Sequence, residues 1–376
     1  SSAASDVYKR QEEWDVIGER FRCDKRVCPN YKEFNARIVQ LLARAQEVER
    51  HFEFDRIDWT LNQFEDAFLY KDKKGKFLDF ALLCIKDMKE TGHIGNAKVW
   101  EKVICNMKLF DKKLSTRYFQ EIDIKYVSAY NSFMEKKGWC GNTRKHDMKT
   151  LRAILNRAIV AKECSSTSYP FGKGGFCISA LEEETRKRYL PQEYLLRLMN
   201  RQFENKPKEI ARRLFLFSYF CYGMSFIDMA NLRKGNIRVE GTSVHIIYKR
   251  HKTEHSKNAK FIRIPMTDEL NNLLLWFKSN SVLVGDYLLP LVSKDYDGEK
   301  LYDHLRRRLA RYNERLKEIG EELGFTEKLT SYVSRHSMAM TLQTNGVPRE
   351  MISQVMGHKD LETTNTSVSY THLTLP

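Results

Sequence analysis

Thr330–Ser367 reads TSYVSRHSMAMTLQTNGVPREMISQVMGHKDLETTNTS, and the rest of the chain is organised around it. An Arg-His pair, Arg335 and His336, opens an apolar run at helical spacing. Gly346-Val347-Pro348 then predicts a turn, since glycine accepts a positive φ and proline cannot continue a helix. A second helix is expected to end at Gly357-His358, ahead of Thr363-Thr364. Of the polar residues in this stretch, Arg335 points most directly to chemistry. Its planar guanidinium can hold two phosphate oxygens at once.

Composition supports an anionic partner. Lys and Arg total 64 against 49 Asp and Glu, a formal charge of +15. A balance that basic favours a polyanion through phosphate contacts and counterion release. At 376 residues the chain has room for two or three domains. No apolar run approaches the ~20 residues of a membrane span. The eight cysteines are scattered. Only Cys23 and Cys28 are close, and no second Cys or His pair completes a zinc site. Reduced thiols in a cytoplasmic protein are the expectation.

Upstream, the chain divides by pattern. Residues 12–76 form a charged region in which Ile38, Leu41, Leu42 and Ala45 predict a helix, with a linker around Gly75. Residues 77–164 read as four helices with turns at Gly92–Gly95, Asp111–Ser115 and Gly138–Asn142. Thr143 is the expected N-cap of the fourth. That helix carries Arg144, Lys145, Lys149 and Arg152 beside its apolar stripe, either as a solvated face or as a surface for DNA phosphates. Residues 165–185 begin with the Gly- and Pro-containing SSTSYPFGKGG and read as a linker. Residues 186–367 form the last domain, where Pro191 can start a helix. Val244–Tyr248 and Phe261–Ile264 are β-rich and flank the polar run Lys249–Lys260.

The stretch quoted first resembles the C-terminal signature of the tyrosine recombinase (phage integrase) family. That signature runs His-x-x-Arg-His, a helix, Leu-Gly-His, then Thr-Thr-x-x-Tyr. Tyr332 stands where the family has its first His, and Ser367 where it has the nucleophilic Tyr. The resemblance implies a mainly α fold with a small β component (α+β). It places a helical SAM-like core-binding domain ahead of a mixed α/β catalytic domain, with an arm-type DNA-binding region before both. It also implies transesterification of a DNA phosphodiester. A tyrosine hydroxyl attacks phosphorus, leaving a 3′-phosphotyrosine and a free 5′-hydroxyl. Bond energy is conserved, so no metal or nucleotide cofactor is required. The protein must supply donors around the phosphate and an acid for the leaving oxygen.

Further site residues follow from the same resemblance. The family takes its first phosphate-clamping arginine from a Gly-x-Arg-x-x-Glu segment. Here that segment is Gly223-Met224-Ser225-Phe226-Ile227-Asp228, with Ser225 in the arginine's place and Asp228 in the carboxylate's. A hydroxyl can bond a phosphate but brings no charge. Lys252, in the β-hairpin, is the expected acid for the 5′-oxygen, ahead of Lys249 and Lys257. His358 matches the second histidine and would donate to a non-bridging oxygen. Tyr332 is either a packed core tyrosine or a phosphate donor.

The ends carry a different signal. Ser1–Gln11 and Val368–Pro376 read as translations of one sequencing adapter on opposite strands, and are set aside from the fold. On this reading only the first base of the Ser367 codon is genomic, a base shared with tyrosine codons. The chain as given is then expected to lack its nucleophile. The expected function is site-specific integration or excision of a mobile element. The expected partners are double-stranded attachment-site DNA, three further copies in a tetramer, and accessory DNA-bending or excision factors. Two other readings fit the same residues: a DNA-binding protein with a degenerate site, and a type IB topoisomerase-like enzyme.

Overall fold

The computed structural model describes residues 13–54, 61, 64, 68, 75–164, 169–184, 188–254 and 259–357. Helices dominate it, with one three-stranded sheet and one small hairpin. Two compact units result. The first takes the residues up to Ala81, Asn106–Met134 and Leu151–Cys177, and the second takes the remainder.

The first unit opens with β1 (Trp14–Asp15) paired to β2 (Arg20–Phe21), followed by the long helix α1 (Tyr31–Phe54). Hairpin and helix are joined by one amide. Asn35 Oδ1 accepts from Phe21 N at 2.7 Å, and its Nδ2 donates to Phe21 O at 3.0 Å. Four more helices follow, α2 (Phe77–Glu90), α3 (Ile94–Phe110), α4 (Ile124–Lys136) and α5 (Gly141–Val160), and the division between units passes through all four. In this unit the Phe119 ring meets Phe77 and Phe80, and Phe110 meets Tyr126, Tyr130 and Phe133. Such aromatic pairs add ~1 kcal/mol each beyond the area they bury.

The second unit is built around α7 (Lys206–Phe220). Its Ala211, Leu214, Phe215, Leu216, Phe217 and Tyr219 are all buried. The stretch Leu214–Tyr219 is buried on every side, as a segment in the middle of a core is. It packs against α9 (Asp268–Asn280), α10 (Gly298–Glu322) and α11 (Val333–Thr344). The antiparallel sheet runs β3 (Ile237–Glu240), β4 (Ser243–Lys249), β5 (Phe261–Pro265) in that spatial order. The alternating burial of β5 turns Ile262 and Ile264 inward. The sequence predicted β4 and β5 but not β3, a short edge strand with three of its four residues exposed. Three short helices complete the unit: α6 (Gln192–Asn200), α8 (Phe226–Ala230) and α12 (Arg349–Val355).

Two helix starts depart from expectation. α3 includes Gly95 in its first turn. α5 begins at Gly141, so Thr143 is not its N-cap. A carboxylate 42 residues further on takes the cap's part, as Glu183 Oε1 accepts from Gly141 N at 2.7 Å.

One ion cluster inside this unit is buried. Glu209 on α7 accepts from Arg212 and Arg213, while Arg212 Nη1 donates to Leu198 O and Met199 O at the end of α6. Burial raises the Glu209 carboxyl, but Arg212, Phe203 N–H and Arg213 outweigh it and hold it below its usual range. Glu209→Gln is expected to destabilise the protein by ~3–5 kcal/mol, since it leaves buried guanidinium charge uncompensated. The pH dependence has a definite sign. A depressed carboxyl contributes stability above the unfolded value of ~4.3 and loses it as pH falls through the folded value. Chemical denaturation should therefore show a large deficit for the variant at neutral pH that shrinks below about pH 4.

Candidate active site

The site grows from a strained turn at the end of α7. Tyr222 and Gly223 both have positive φ, 51° and 71°. A Cβ on Gly223 would stand 2.6 Å from Arg335 Cα, so only glycine lets this turn lie against α11. A pair of buried serines fixes the contact. Ser218 Oγ donates to Met224 O at 2.7 Å and lies 2.7 Å from Ser334 Oγ, which is itself 2.8 Å from Ser331 O.

Ser225 is the N-cap of α8. Its hydroxyl donates to Asp228 Oδ2 at 2.7 Å, and Asp228 N donates back to Ser225 Oγ at 3.3 Å. The bond from Asp228 N is an ordinary N-cap bond, and the hydroxyl's own proton goes to the same residue's carboxylate. Ser225 is therefore neither an ordinary residue inside a packed helix nor a hydroxyl free of other bonds. Asp228 also reaches the sheet. Its Oδ1 accepts from His251 N at 2.8 Å, and its Oδ2 lies 4.0 Å from Arg250 Nε. Asp228 thus ties α8 to the end of β4.

Arg335, on α11, is 3% exposed. Its Nη1 donates to Gly223 O at 2.8 Å and its Nη2 to Met356 O at 2.6 Å. Arg250, which the sequence reading passed over, follows β4. Its Nη1 donates to Gly357 O at 2.9 Å. Two consecutive carbonyls at the C-terminal end of α12 thus hold two guanidiniums side by side. Carbonyls there have no partner within the helix and carry partial negative charge, which suits a cation. Gly357 has φ 63°, and a Cβ there would meet Ile262 Cδ1 at 2.5 Å and Arg250 Cδ at 2.9 Å. Burial first, and the like charge of Arg250 second, lower the Arg335 pKa. An anion bound at the pair would relieve that repulsion. The only sequence signal for Arg250 was its place between a predicted strand and His251-Lys252-Thr253.

Tyr332 is not a core residue. It is 55% exposed, and its ring meets His336 edge-on at 5.0 Å. Ser225, Tyr332 and Arg335 share the wall of a 330 Å³ cavity with an apolar floor that includes Phe226, Leu305 and Leu309. A larger cavity of 980 Å³ lies elsewhere, lined by Thr267, Leu274 and Tyr287 among others, and holds none of the expected residues. We take the smaller as the chemical centre, because the buried arginine is there. Lys252 is exposed in a short 3₁₀ turn, His251–Thr253, beside Arg250. Lys249 lies over the Phe261 ring, 4.7 Å from its centroid. Lys257, His358, Ser367 and Tyr370 lie outside the described residues, as do both terminal segments assigned to the adapter. Among the described residues no group of His, Cys, Asp or Glu could hold a metal.

The basic face of α5 is divided. Arg144 pairs with Glu135 at 3.0 Å and Lys145 with Glu182 at 2.6 Å, leaving their side chains 12% and 15% exposed. Lys149 and Arg152 are exposed.

Known proteins resemble this chain in sequence and in fold. Residues 188–375 match the phage integrase family, and residues 76–175 match the phage integrase SAM-like domain. Tyrosine recombinase XerC of Rickettsia massiliae is 29% identical over 124 residues, 32% of this chain and 41% of that protein. XerC of Rickettsia bellii is 28% identical over the same share. The matched stretch thus spans about two fifths of these curated relatives. Among solved structures, the Tn1549 transposon integrase in complex with transposon right end DNA aligns with a TM-score of 0.55 at 13% identity. That alignment covers 77% of this chain and 95% of the other. The XerH site-specific recombinase bound to palindromic difH substrate gives 0.55 at 15% identity, covering 87% and 91%. These structural likenesses concern the fold.

Proposed function

The chain belongs to the phage integrase family, and on that premise we propose that it is a tyrosine site-specific recombinase. It cleaves and rejoins double-stranded DNA through a 3′-phosphotyrosine, integrating or excising a mobile element. The observation that carries this reading is the guanidinium pair at the end of α12. Family members need two positive charges on the scissile phosphate, and Ser225 removes one. Arg250, arriving from β4, replaces it. The two arginines stabilise charge as it builds on the phosphoryl oxygens, where preformed donors have the most effect. Tyr332 donates at the rim, and Lys252 protonates the leaving 5′-oxygen. His358 donates to a non-bridging oxygen, and position 367 supplies the nucleophile when it is tyrosine.

Residues 77–164 are the core-binding domain, residues 186–367 the catalytic domain, and residues 12–76 belong to an arm-binding region. Lys149 and Arg152, with Arg144 and Lys145, are the DNA-facing cations of α5. The active species is a homotetramer on two duplexes, assisted by DNA-bending or excision factors, in the cytoplasm.

A suicide duplex that traps the covalent intermediate tests this reading. The chain with Ser367 should bind DNA and give no protein–DNA band on a denaturing gel. Ser367→Tyr, with a family-like extension replacing Val368–Pro376, should give one. Tyr370 is not expected to substitute: were the segment helical, three residues would displace it by ~4.5 Å and ~60°, and ~1 Å of misplacement can cost ~10²-fold. A band from the unaltered chain that vanishes on Tyr370→Phe would overturn the assignment of position 367.

A further inference from the structure

The segment Leu181–Glu184 brings three successive carboxylates to the start of α5. Glu183 Oε1 accepts from Gly141 N at 2.7 Å. Its backbone is also fastened, with Asn142 Nδ2 donating to Glu183 O at 2.7 Å and Glu183 N donating to Asn142 Oδ1 at 3.3 Å. One residue earlier, Glu182 Oε2 lies 2.6 Å from Lys145 Nζ. The fit is close. A Cβ on Gly141 would stand 2.4 Å from Leu181 O and 2.6 Å from Glu183 Oε1.

The chemistry of this contact is that of a bound phosphodiester. A helix N-terminus offers free N–H groups and partial positive charge, which suit an anion. Lys145 adds a full positive charge one turn along. Both are occupied by the chain's own carboxylates. Glu182 is 64% exposed while its lysine partner is 15% exposed, so the acid is the side chain that water reaches and that another anion can displace. Lys149 and Arg152 continue the same helix and are exposed, though the charge of Lys149 is also felt by Glu182. Part of the basic surface is therefore open and part is covered.

We propose that Glu182 and Glu183 form an autoinhibitory strap, an internal phosphate mimic over the N-terminal turn of α5 that duplex DNA must displace. This inference rests on the reading of α5 as a DNA surface. The strap weakens binding to any duplex, because every phosphate at this turn competes with a tethered acid. An attachment site that engages the rest of the protein supplies enough further contacts to displace it, so the strap raises discrimination against random DNA.

The test measures affinity for random and attachment-site duplexes over a range of salt, using the full chain. Glu182→Gln and Glu183→Gln keep the acceptor oxygens and remove the charge, and thermal melts check that folding is retained. Each should tighten random-duplex binding by about two- to fivefold, the worth of one exposed charge interaction at a helix end. The double variant should steepen the salt slope by ~0.9 for each phosphate newly contacted. Lys145→Gln added to Glu182→Gln should abolish that variant's gain. Lys149→Gln with Arg152→Gln separates the two layers of the argument, and should weaken binding and flatten the slope. If that pair weakens binding while the Glu variants leave affinity within twofold, α5 faces DNA but the strap is only a structural tie. If neither set changes affinity or slope, the α5 reading fails and the strap with it.

Discussion

Arg335→Lys, in the chain completed with Tyr at position 367, is expected to slow strand cleavage by ~10²-fold or more and leave duplex affinity nearly unchanged. Losing a preformed transition-state donor has an effect of that size. Lysine keeps the charge but not the fork. It cannot reach Gly223 O and Met356 O together while still presenting donors to a phosphate, because an ammonium is a point charge and a guanidinium is planar and branched. The comparison that decides the matter is single-turnover cleavage against equilibrium binding on the same duplex. A parallel fall in both would mean that Arg335 acts through the fold, as the anchor of the Gly223 turn. Alanine is the less informative choice, since it would also leave two buried carbonyls without donors.

Arg250→Gln should be nearly as damaging, at ~10²-fold in cleavage, with binding retained. The same assay on Ser225→Ala should show a much smaller loss, because the Ser225 hydroxyl is directed to Asp228 and carries no charge. The order of effects is the claim: Arg335 and Arg250 large, Ser225 small. If Ser225→Ala matched either arginine variant, the serine would be a direct phosphate ligand and Arg250 would have to be reassigned. A further variant asks whether position matters as well as charge. Ser225→Arg with Arg250→Gln restores the family's usual first arginine, and recovery of cleavage would show that the two positions serve the same phosphate.

The legible parts of this molecule were those encoded within a few residues of themselves. The helix that carries Arg335 could be read because it, the Gly346–Pro348 turn and the Gly357 end follow one another along the chain. β4 and β5 could be read from β-branched and aromatic runs on either side of a polar stretch. What could not be read depended on partners far away. Arg250 acquires its meaning from the carbonyl of Gly357, 107 residues distant. Thr143 looked like a cap because it is a threonine near a helix start, and the group that meets the first free N–H is Glu183. Ser225 looked like a vacancy in a motif. Its capping bond to Asp228 is local and has a sequence signature, Ser-x-x-Asp, that could have been recognised. The charge on α5 was visible in the sequence, but not that Arg144 and Lys145 are already paired.

The bonds that build the site share one property with a consequence for the nascent chain. Ser218 meets Ser334 across 116 residues, Arg335 meets Gly223 across 112, and Arg250 meets Gly357 across 107. Contacts so distant in sequence close late, because the loop entropy must be met before they form. A chain still on the ribosome that has exposed everything up to Leu329 holds Ser225, Arg250 and Lys252 but not Arg335 or the carbonyls that aim it. A half-made protein, or one cut short before residue 357, therefore lacks the carbonyls that hold the two guanidiniums, and under the proposed function it would be unable to cleave DNA.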